Sequence, residues 1–290
     1  MDVRIIEKNA YQEEALGALL HIPQPPARLW VRGRLPDIRM KKLAVVGSRS
    51  LTAYGADMAA YLIHGLAGMP VSVVSGLALG ADAAAHRAAL ATGLHTIAIP
   101  GSGLSDSVIA PRTHLSLARD ILAAGGALLS EHEPDASARP GYFPSRNRIM
   151  AGVADAVLLI EAGERSGTLI TARLAGEYGR ELLCVPHRAR EPHGHGSHLF
   201  LRLGATLATE PEHILEALRL ERPQGSEKEL PILSPDESML YALLKKPCTR
   251  DALIRASRLP AGEALAALMT LELAGHVEES LGLLRRTRAS

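Results

Sequence analysis

Between Leu43 and Leu220 the hydrophobic pattern of the chain switches period repeatedly. Short apolar runs ("LAVVG", "VSVVSG", "HTIAIPG", "ALLSE", "DAVLLIEA", "ELLCVP", "ATLA") alternate with longer Ala/Leu-rich stretches such as "TAYGADMAAYLIHGLA" and "GADAAAHRAALATG". Continuous runs rich in Val and Ile, without polar alternation, are strands buried on both faces, as in a parallel sheet. Strand–helix alternation builds βαβ units with right-handed crossovers. The pattern therefore predicts an α/β fold over residues 41–220: a doubly wound, Rossmann-like, mostly parallel sheet.

The alternation stops at "LERPQGSEKELP", a polar stretch with Pro and Gly and no periodicity, so residues 221–233 read as a linker. Residues 234–290 then hold three short helical patterns and a terminal hairpin pattern, the layout of a small winged-helix domain. Ser234 and Glu237 have the spacing of a capping box for its first helix. Before the sheet, Pro23, Pro25 and Pro26 argue against a long regular element. Residues 1–40 are expected to be a reduced N-terminal segment. A chain of 290 residues accommodates two domains.

Composition excludes several classes. The net charge is +1 and the pI about 7.9, so a nucleic-acid site has to be a local cluster rather than a bulk property. Two cysteines, Cys184 and Cys248, make neither a disulfide framework nor a metal quartet, and a reducing, cytoplasmic location fits them. The charged start "MDVRIIEKNA" lacks the apolar core of a signal peptide. No apolar stretch of about 18 residues is free of charge, so no membrane span is expected.

In an open parallel sheet, ligands bind outside the carboxyl ends of the strands. Four loops rich in small residues fall there: "VVGSRS", "VSGLALGAD", "IPGSG" and "EAGERSGTLITA". Glycines allow close backbone approach and helix N-termini offer N–H groups to anions. A dinucleotide site needs G-x-G-x-x-G and an acidic residue about 20 positions on; the chain has neither at the first corner. It also has no Gly-Lys-Ser/Thr of a P-loop. No cofactor is expected. His187, His193, His195 and His198 lie in a Gly-rich loop without a ligand-type spacing, so no metal is expected either. His86 reads as a packing or capping residue rather than a catalytic base.

"GYFPSRNRIMAG" precedes the run "DAVLLIEA", so its helix starts at or beside the same edge. Phe143 is one of two phenylalanines in the chain. In the first helical turn Arg146 and Arg148 would splay apart and both reach phosphates, Asn147 can donate and accept, and Phe143 offers a face to a base. The alternative is a solvated face, with the arginines paired to Glu131 or Glu133 and Phe143 in the core.

Taken together, "VVGSRS", "SGLALGADAAAHRAAL", "TIAIPGSGL", "LLSEHEP", "FPSRNRIMAGVADAVLLIEA", "SGTLITARLAGEYGRELLCVP" and "GATL" resemble the DprA/Smf family of bacterial DNA-processing proteins, in the family's order from about Leu43 to Ala208. The resemblance implies an extended Rossmann domain, a winged-helix tail, and a non-catalytic protein. It implies that the protein binds single-stranded DNA without sequence preference, protects it, and loads RecA recombinase in natural transformation or homologous recombination. It also implies a homodimer formed through the Rossmann domain. Carried over by motif, the DNA contacts are Ser48 and Arg49, with Gly76 and Gly80 allowing backbone approach; Phe143, Arg146, Asn147 and Arg148; and Ser166, Gly167 and Thr168. The chain departs from the family pattern at His114, where an Asn is usual, and at His187, where Gly is usual. Another reading makes the chain chiefly an adaptor with the winged helix as a protein-docking module: Arg285, Arg286 and Arg288 lie near acidic Glu278 and Glu279, and the "AGEALAALMTLELAG" helix is apolar and acidic, which argues against specific duplex binding.

One enzyme shares these corners: a Rossmann-type nucleoside-monophosphate phosphoribohydrolase. Its signature places a catalytic Glu three residues after the Thr of a Gly-rich run. Here Thr168 is followed at that distance by Thr171, so the carboxylate needed by an oxocarbenium-like transition state is missing.

Overall fold

The computed structural model describes residues 2–222, 234–244, 247–274, 276–280 and 282–286. All seven apolar runs are strands: β3 (Lys41–Val46), β4 (Val71–Ser75), β5 (His95–Ala98), β6 (Ala127–Ser130), β7 (Ala156–Leu159), β8 (Glu181–Cys184) and β9 (Thr206–Leu207). They pair in parallel, in the spatial order β6-β5-β4-β3-β7-β8-β9. Successive connections step outward from β3 on one side and from β7 on the other, so the winding reverses between these two strands. The helices are α1 (Ala53–His64), α2 (Ala81–Ala91), α3 (Leu115–Ala123), α4 (Tyr142–Val153), α5 (Thr168–Glu177), α6 (His195–Arg202) and α7 (Pro211–Leu218).

Strand alternation sends neighbouring side chains to opposite faces. Val157 and Leu159 pack in a core with Ile149 and Met150 of α4 and Ala172 and Ala175 of α5. Ala156 and Leu158 pack in another with Leu62 and Ile63 of α1, Ala85 of α2 and Ile214 of α7. Both faces are thus covered, which is why the strands read as continuous apolar runs.

The first 40 residues depart from the expectation of a separate segment. They contribute β1 (Val3–Glu7) and β2 (Arg28–Gly33), which extend the sheet to nine strands through antiparallel β1–β2 and β2–β6 pairs. Tyr11, Leu16, Leu19 and Ile22 enter the same core as α4. Burying these side chains stabilises the unit by roughly 1.5–3 kcal/mol each, so the segment belongs to the sheet domain.

The chain divides into two compact units, residues 1–221 and 222–290. Apart from residues 221 and 222, the expected linker lies outside the described residues. The second unit holds α8 (Pro235–Leu243), α9 (Arg250–Ser257), α10 (Ala261–Leu273) and a hairpin of β10 (Val277–Ser280) and β11 (Leu283–Arg286). Its core is Leu240, Leu244, Leu253, Leu268, Leu271, Val277 and Leu284. The Ser234–Glu237 capping box is formed: the Glu237 N–H donates to Ser234 Oγ, and the Ser234 N–H to Glu237 Oε2. This is the winged-helix arrangement. No helix among the described residues is long and apolar enough to cross a membrane.

Candidate functional site

The loops after β3 and β7 leave the sheet at the winding reversal and open a cleft of about 770 Å³. Gly47–Ser50, the first turns of α4 and α5, the Gly163–Gly167 loop, and Pro192, His193 and His195 line it.

Ser48 Oγ accepts the Ser50 N–H (3.1 Å), which tightens the turn after β3 and turns Arg49 into the cleft. Arg49 is exposed, and its guanidinium lies 5.1 Å from the centre of the Phe143 ring. Gly80 has a left-handed backbone (φ +72°) and sits beneath the carbonyls of Ser48 and Arg49, where a Cβ would clash with both. Its neighbour Ala81 donates its N–H to Ser48 O at 3.1 Å. Gly80 thus shapes the corner from below rather than lining the cleft.

The N-terminus of α1 is closed to an external anion. Glu161, fully buried just past β7, accepts the Thr52 N–H at 3.1 Å and a short hydrogen bond from the Thr52 hydroxyl. Thr52 is itself the N-cap of α1. The chain's own carboxylate therefore occupies the position that a phosphate would take at a free helix start. The α5 N-terminus has a different setting. Thr168 Oγ1 donates to Gly47 O (2.9 Å) and Ser166 Oγ accepts the Thr168 N–H (3.2 Å), which locks this helix start against the β3 corner. Ser166, Gly167 and Thr168 all face the cleft.

The two arginines of the opening helix separate. Helix α4 begins at Tyr142, so Arg146 and Arg148 lie beyond its first turn, not in it. Arg146 is 6% exposed and forms part of the cleft floor. Its Nη1 donates to Ile99 O (2.7 Å) and lies 3.8 Å from Asp82 Oδ2. Burial pushes the Asp82 carboxyl up and the Arg146 guanidinium down, and each group's charge opposes the shift in the other. Asp82 also accepts the Ala78 N–H at 3.2 Å. The guanidinium fills the space beside Gly76 that a Cβ would need; Gly76 does not line the cleft. Arg148 faces away from the cleft: it pairs with Glu131 through a short contact and donates to Gln24 O (2.7 Å). The paired-surface alternative thus describes Arg148 and fails for Arg146. Phe143 is half-buried, packs against Gly101 and keeps a face to the cleft; Asn147 lines the cleft beside it.

Arg165, exposed at the cleft mouth, was not among the residues expected from sequence. Neither Arg49 nor Arg165 has an ion-pair partner among the described residues.

The His-rich loop is mostly a latch. His187 Nε2 donates to Ile160 O (2.9 Å), and His198 Nε2 donates to His187 O (3.0 Å). His193 Nδ1 lies 3.8 Å from Glu161 Oε2. Only His193 and His195 of these four reach the cleft. Among the described residues no group of three His, Cys, Asp or Glu is placed to hold a metal. His114 is buried and donates from Nδ1 to Leu77 O (2.8 Å). His86 is fully buried with Nδ1 at 2.8 Å from Thr96 Oγ1, and burial pushes it down to about 3.

A family model described as DNA recombination-mediator protein A matches residues 3–219, and one described as DprA winged helix domain matches residues 224–282. The chain belongs to the DNA recombination-mediator protein A (DprA/Smf) family. Protein Smf of Escherichia coli (strain K12) is similar at 37% identity over 273 residues, 89% of this chain and 71% of that protein. The DNA processing protein DprA of Bacillus subtilis (strain 168) is similar at 35% over 210 residues, 72% of this chain and 70% of that protein. The X-ray structure of Streptococcus pneumoniae DprA superposes with a TM-score of 0.69 at 34% identity, covering 77% of this chain and 76% of that one. Helicobacter pylori DprA, whose structure is described as revealing a unique single-stranded DNA binding mode, superposes with a TM-score of 0.63 at 28% identity, covering 76% and 96%. In this DprA-family chain the cleft is the concave surface that the sheet presents at the winding reversal.

Proposed function

We propose that this chain binds single-stranded DNA without sequence preference in the cleft at the β3–β7 winding reversal, protects it, and delivers it to RecA recombinase in recombination or transformation, without catalysing a reaction on it. The observation that carries this reading is the placement of two exposed arginines, Arg49 and Arg165, with no ion-pair partner among the described residues, around one half-buried aromatic, Phe143, beside the start of α5. Guanidinium groups recognise phosphates, and a flat ring takes any base. The described binding of single-stranded DNA by H. pylori DprA supports the same ligand.

Ser48, Arg49, Phe143, Asn147, Ser166, Gly167 and Thr168 make the contacts in this scheme, joined by Arg165. Arg146 forms part of the floor, its charge balanced by Asp82. Gly76, Gly80 and Arg148 act indirectly, by leaving room or by bracing α4. The RecA step, the homodimer through the Rossmann domain and the cytoplasmic site of action rest on the family resemblance. The phosphoribohydrolase reading is disfavoured: Thr171, at the position where that chemistry needs a carboxylate, is a buried hydroxyl residue.

A salt titration tests the reading. Log affinity for single-stranded DNA should fall by roughly 0.7 per phosphate contact per decade of salt, with duplex bound more weakly. Absence of single-strand binding at low salt would overturn it.

A further inference from the structure

Outside the cleft, the same end of α4 carries a second aromatic group that the proposed contacts leave unused. Tyr142, the first residue of α4, stacks on His132 with ring centres 3.5 Å apart and planes 14° from parallel. The guanidinium of Arg139 stands 5.9 Å from the centre of the Tyr142 ring. That is the outer limit of a cation–π contact, about 6 Å. Arg139 is exposed and has no ion-pair partner among the described residues.

The group is held firmly in place. His132 lies two residues past the end of β6, and its N–H donates to Ser130 Oγ (3.0 Å). The Gly103 N–H donates to Ala136 O (2.7 Å) and the Ser105 N–H to Pro134 O (2.9 Å), which fastens the loop after β6 to the loop after β5. The Tyr142 N–H donates to Arg139 O (2.9 Å), a turn that folds Arg139 back toward the ring. Arg148 neutralises Glu131, the acidic neighbour of His132. Glu133 and Asp135 line a separate groove with Ile5, Arg28 and Trp30. Burial lowers the affinity of His132 for a proton, so the stack does not depend on a charged imidazole.

Consecutive helical residues point about 100° apart. Phe143 therefore faces the cleft while Tyr142 faces the adjoining surface. We propose that Tyr142, backed by His132 and capped by Arg139, is a second nucleobase-stacking subsite that takes the nucleotide adjoining the cleft. A base slides between the Tyr142 ring and the exposed Arg139 side chain, which then covers the base and reaches a neighbouring phosphate. This inference rests on the proposed single-strand binding. It adds a defined second platform and a longer footprint on the strand.

The experiment compares two labelled oligothymidylates on the full chain, one of about four nucleotides and one of about twelve, within the range of known single-strand site sizes. Tyr142→Ala should weaken the longer strand roughly tenfold, the loss of one base stack, and leave the shorter strand unchanged. Tyr142→Phe should restore the longer strand, and Arg139→Ala, a surface change, should weaken it severalfold. Arg49→Ala should weaken both strands. A Tyr142→Ala chain that is folded by circular dichroism and binds the longer strand as wild type does would overturn the subsite, as would an Arg139→Ala chain with unchanged affinity. Wild type binding neither strand would overturn the cleft reading, and the subsite with it.

Discussion

The sheet unit and the winged-helix unit differ in what they present to a polyanion. At the carboxyl edge of the sheet, Arg49 and Arg165 stand exposed beside Phe143 and a helix start. In the second unit, α10 occupies the place of the helix that reads duplex DNA in helix-turn-helix domains. It carries no Lys or Arg. Its charges are Glu263 and Glu272, and Glu272 is bound to Arg250 at 2.7 Å. Leu265, Met269 and Leu273, spaced one turn apart, are exposed along one side of it. Fold alone therefore does not mark the DNA surface. The proposed DNA surface follows the cations of the cleft, Arg49 and Arg165, which have no ion-pair partner among the described residues.

This contrast can be broken in several ways. The largest effect is expected from Arg49→Ala with Arg165→Ala: single-strand affinity at low salt should fall on the order of 100-fold, with a flatter salt dependence, because charge-assisted contacts contribute about 1.5–3 kcal/mol each. Fluorescence anisotropy measures both. Binding that survives the double change would move the site off the cleft.

Next comes Gly76→Ala. The added methyl displaces the Arg146 guanidinium from Ile99 O and Asp82. Urea unfolding should show a loss of about 2–4 kcal/mol, and single-strand affinity should drop with it. Unchanged stability would mean that the floor relaxes freely.

A third test uses acid. His86 is held at about 3 when folded, against 6.5 when free. The unfolded chain therefore takes up a proton that the folded chain refuses, and stability present above about pH 6.5 is lost as pH falls towards 3. Between about pH 7 and 5.5 this group should cost the sheet unit about 1 kcal/mol. Denaturation midpoints of wild type and His86→Gln at the two pH values check it; parallel pH responses would exclude His86 as the source.

The smallest effect concerns α10. A chain ending at Leu220 should lose less than about threefold in duplex affinity, because α10 carries no cation to release counterions and Arg250 and Arg285 of the same unit are ion-paired. Met269→Lys, which adds a cation to the exposed side, should raise duplex affinity slightly. A large loss on truncation would reverse the contrast.

The sheet was legible in the sequence because strands covered on both faces cannot alternate, and all seven runs declare themselves locally. The N-terminal strands were not. Pro23, Pro25 and Pro26 lie in the connection between β1 and β2, and the partner of β2 is β6, about a hundred residues on. Arg146 and Arg148 look equivalent on paper. Their fates diverge because one meets the gap at Gly76 and the carbonyl of Ile99, and the other meets Glu131. Ile99 and Gly76 lie 47 and 70 residues before Arg146, whereas Glu131 lies 17 residues before Arg148 and was legible as a partner. Arg165 carries a readable signal, a cation inside a Gly-rich loop at a strand end, next to the Ser-Gly-Thr that matches the family motif. Glu161 reads as the end of a strand; nothing local says that it caps a helix that starts more than a hundred residues earlier.

The empty side of Gly76 has a genetic consequence. In a library of single substitutions scored for DNA binding, every replacement at Gly76 should fail, and the position would be mapped as a contact with the strand. It touches none of the cleft. What selection would guard there is the vacancy in which a guanidinium is seated.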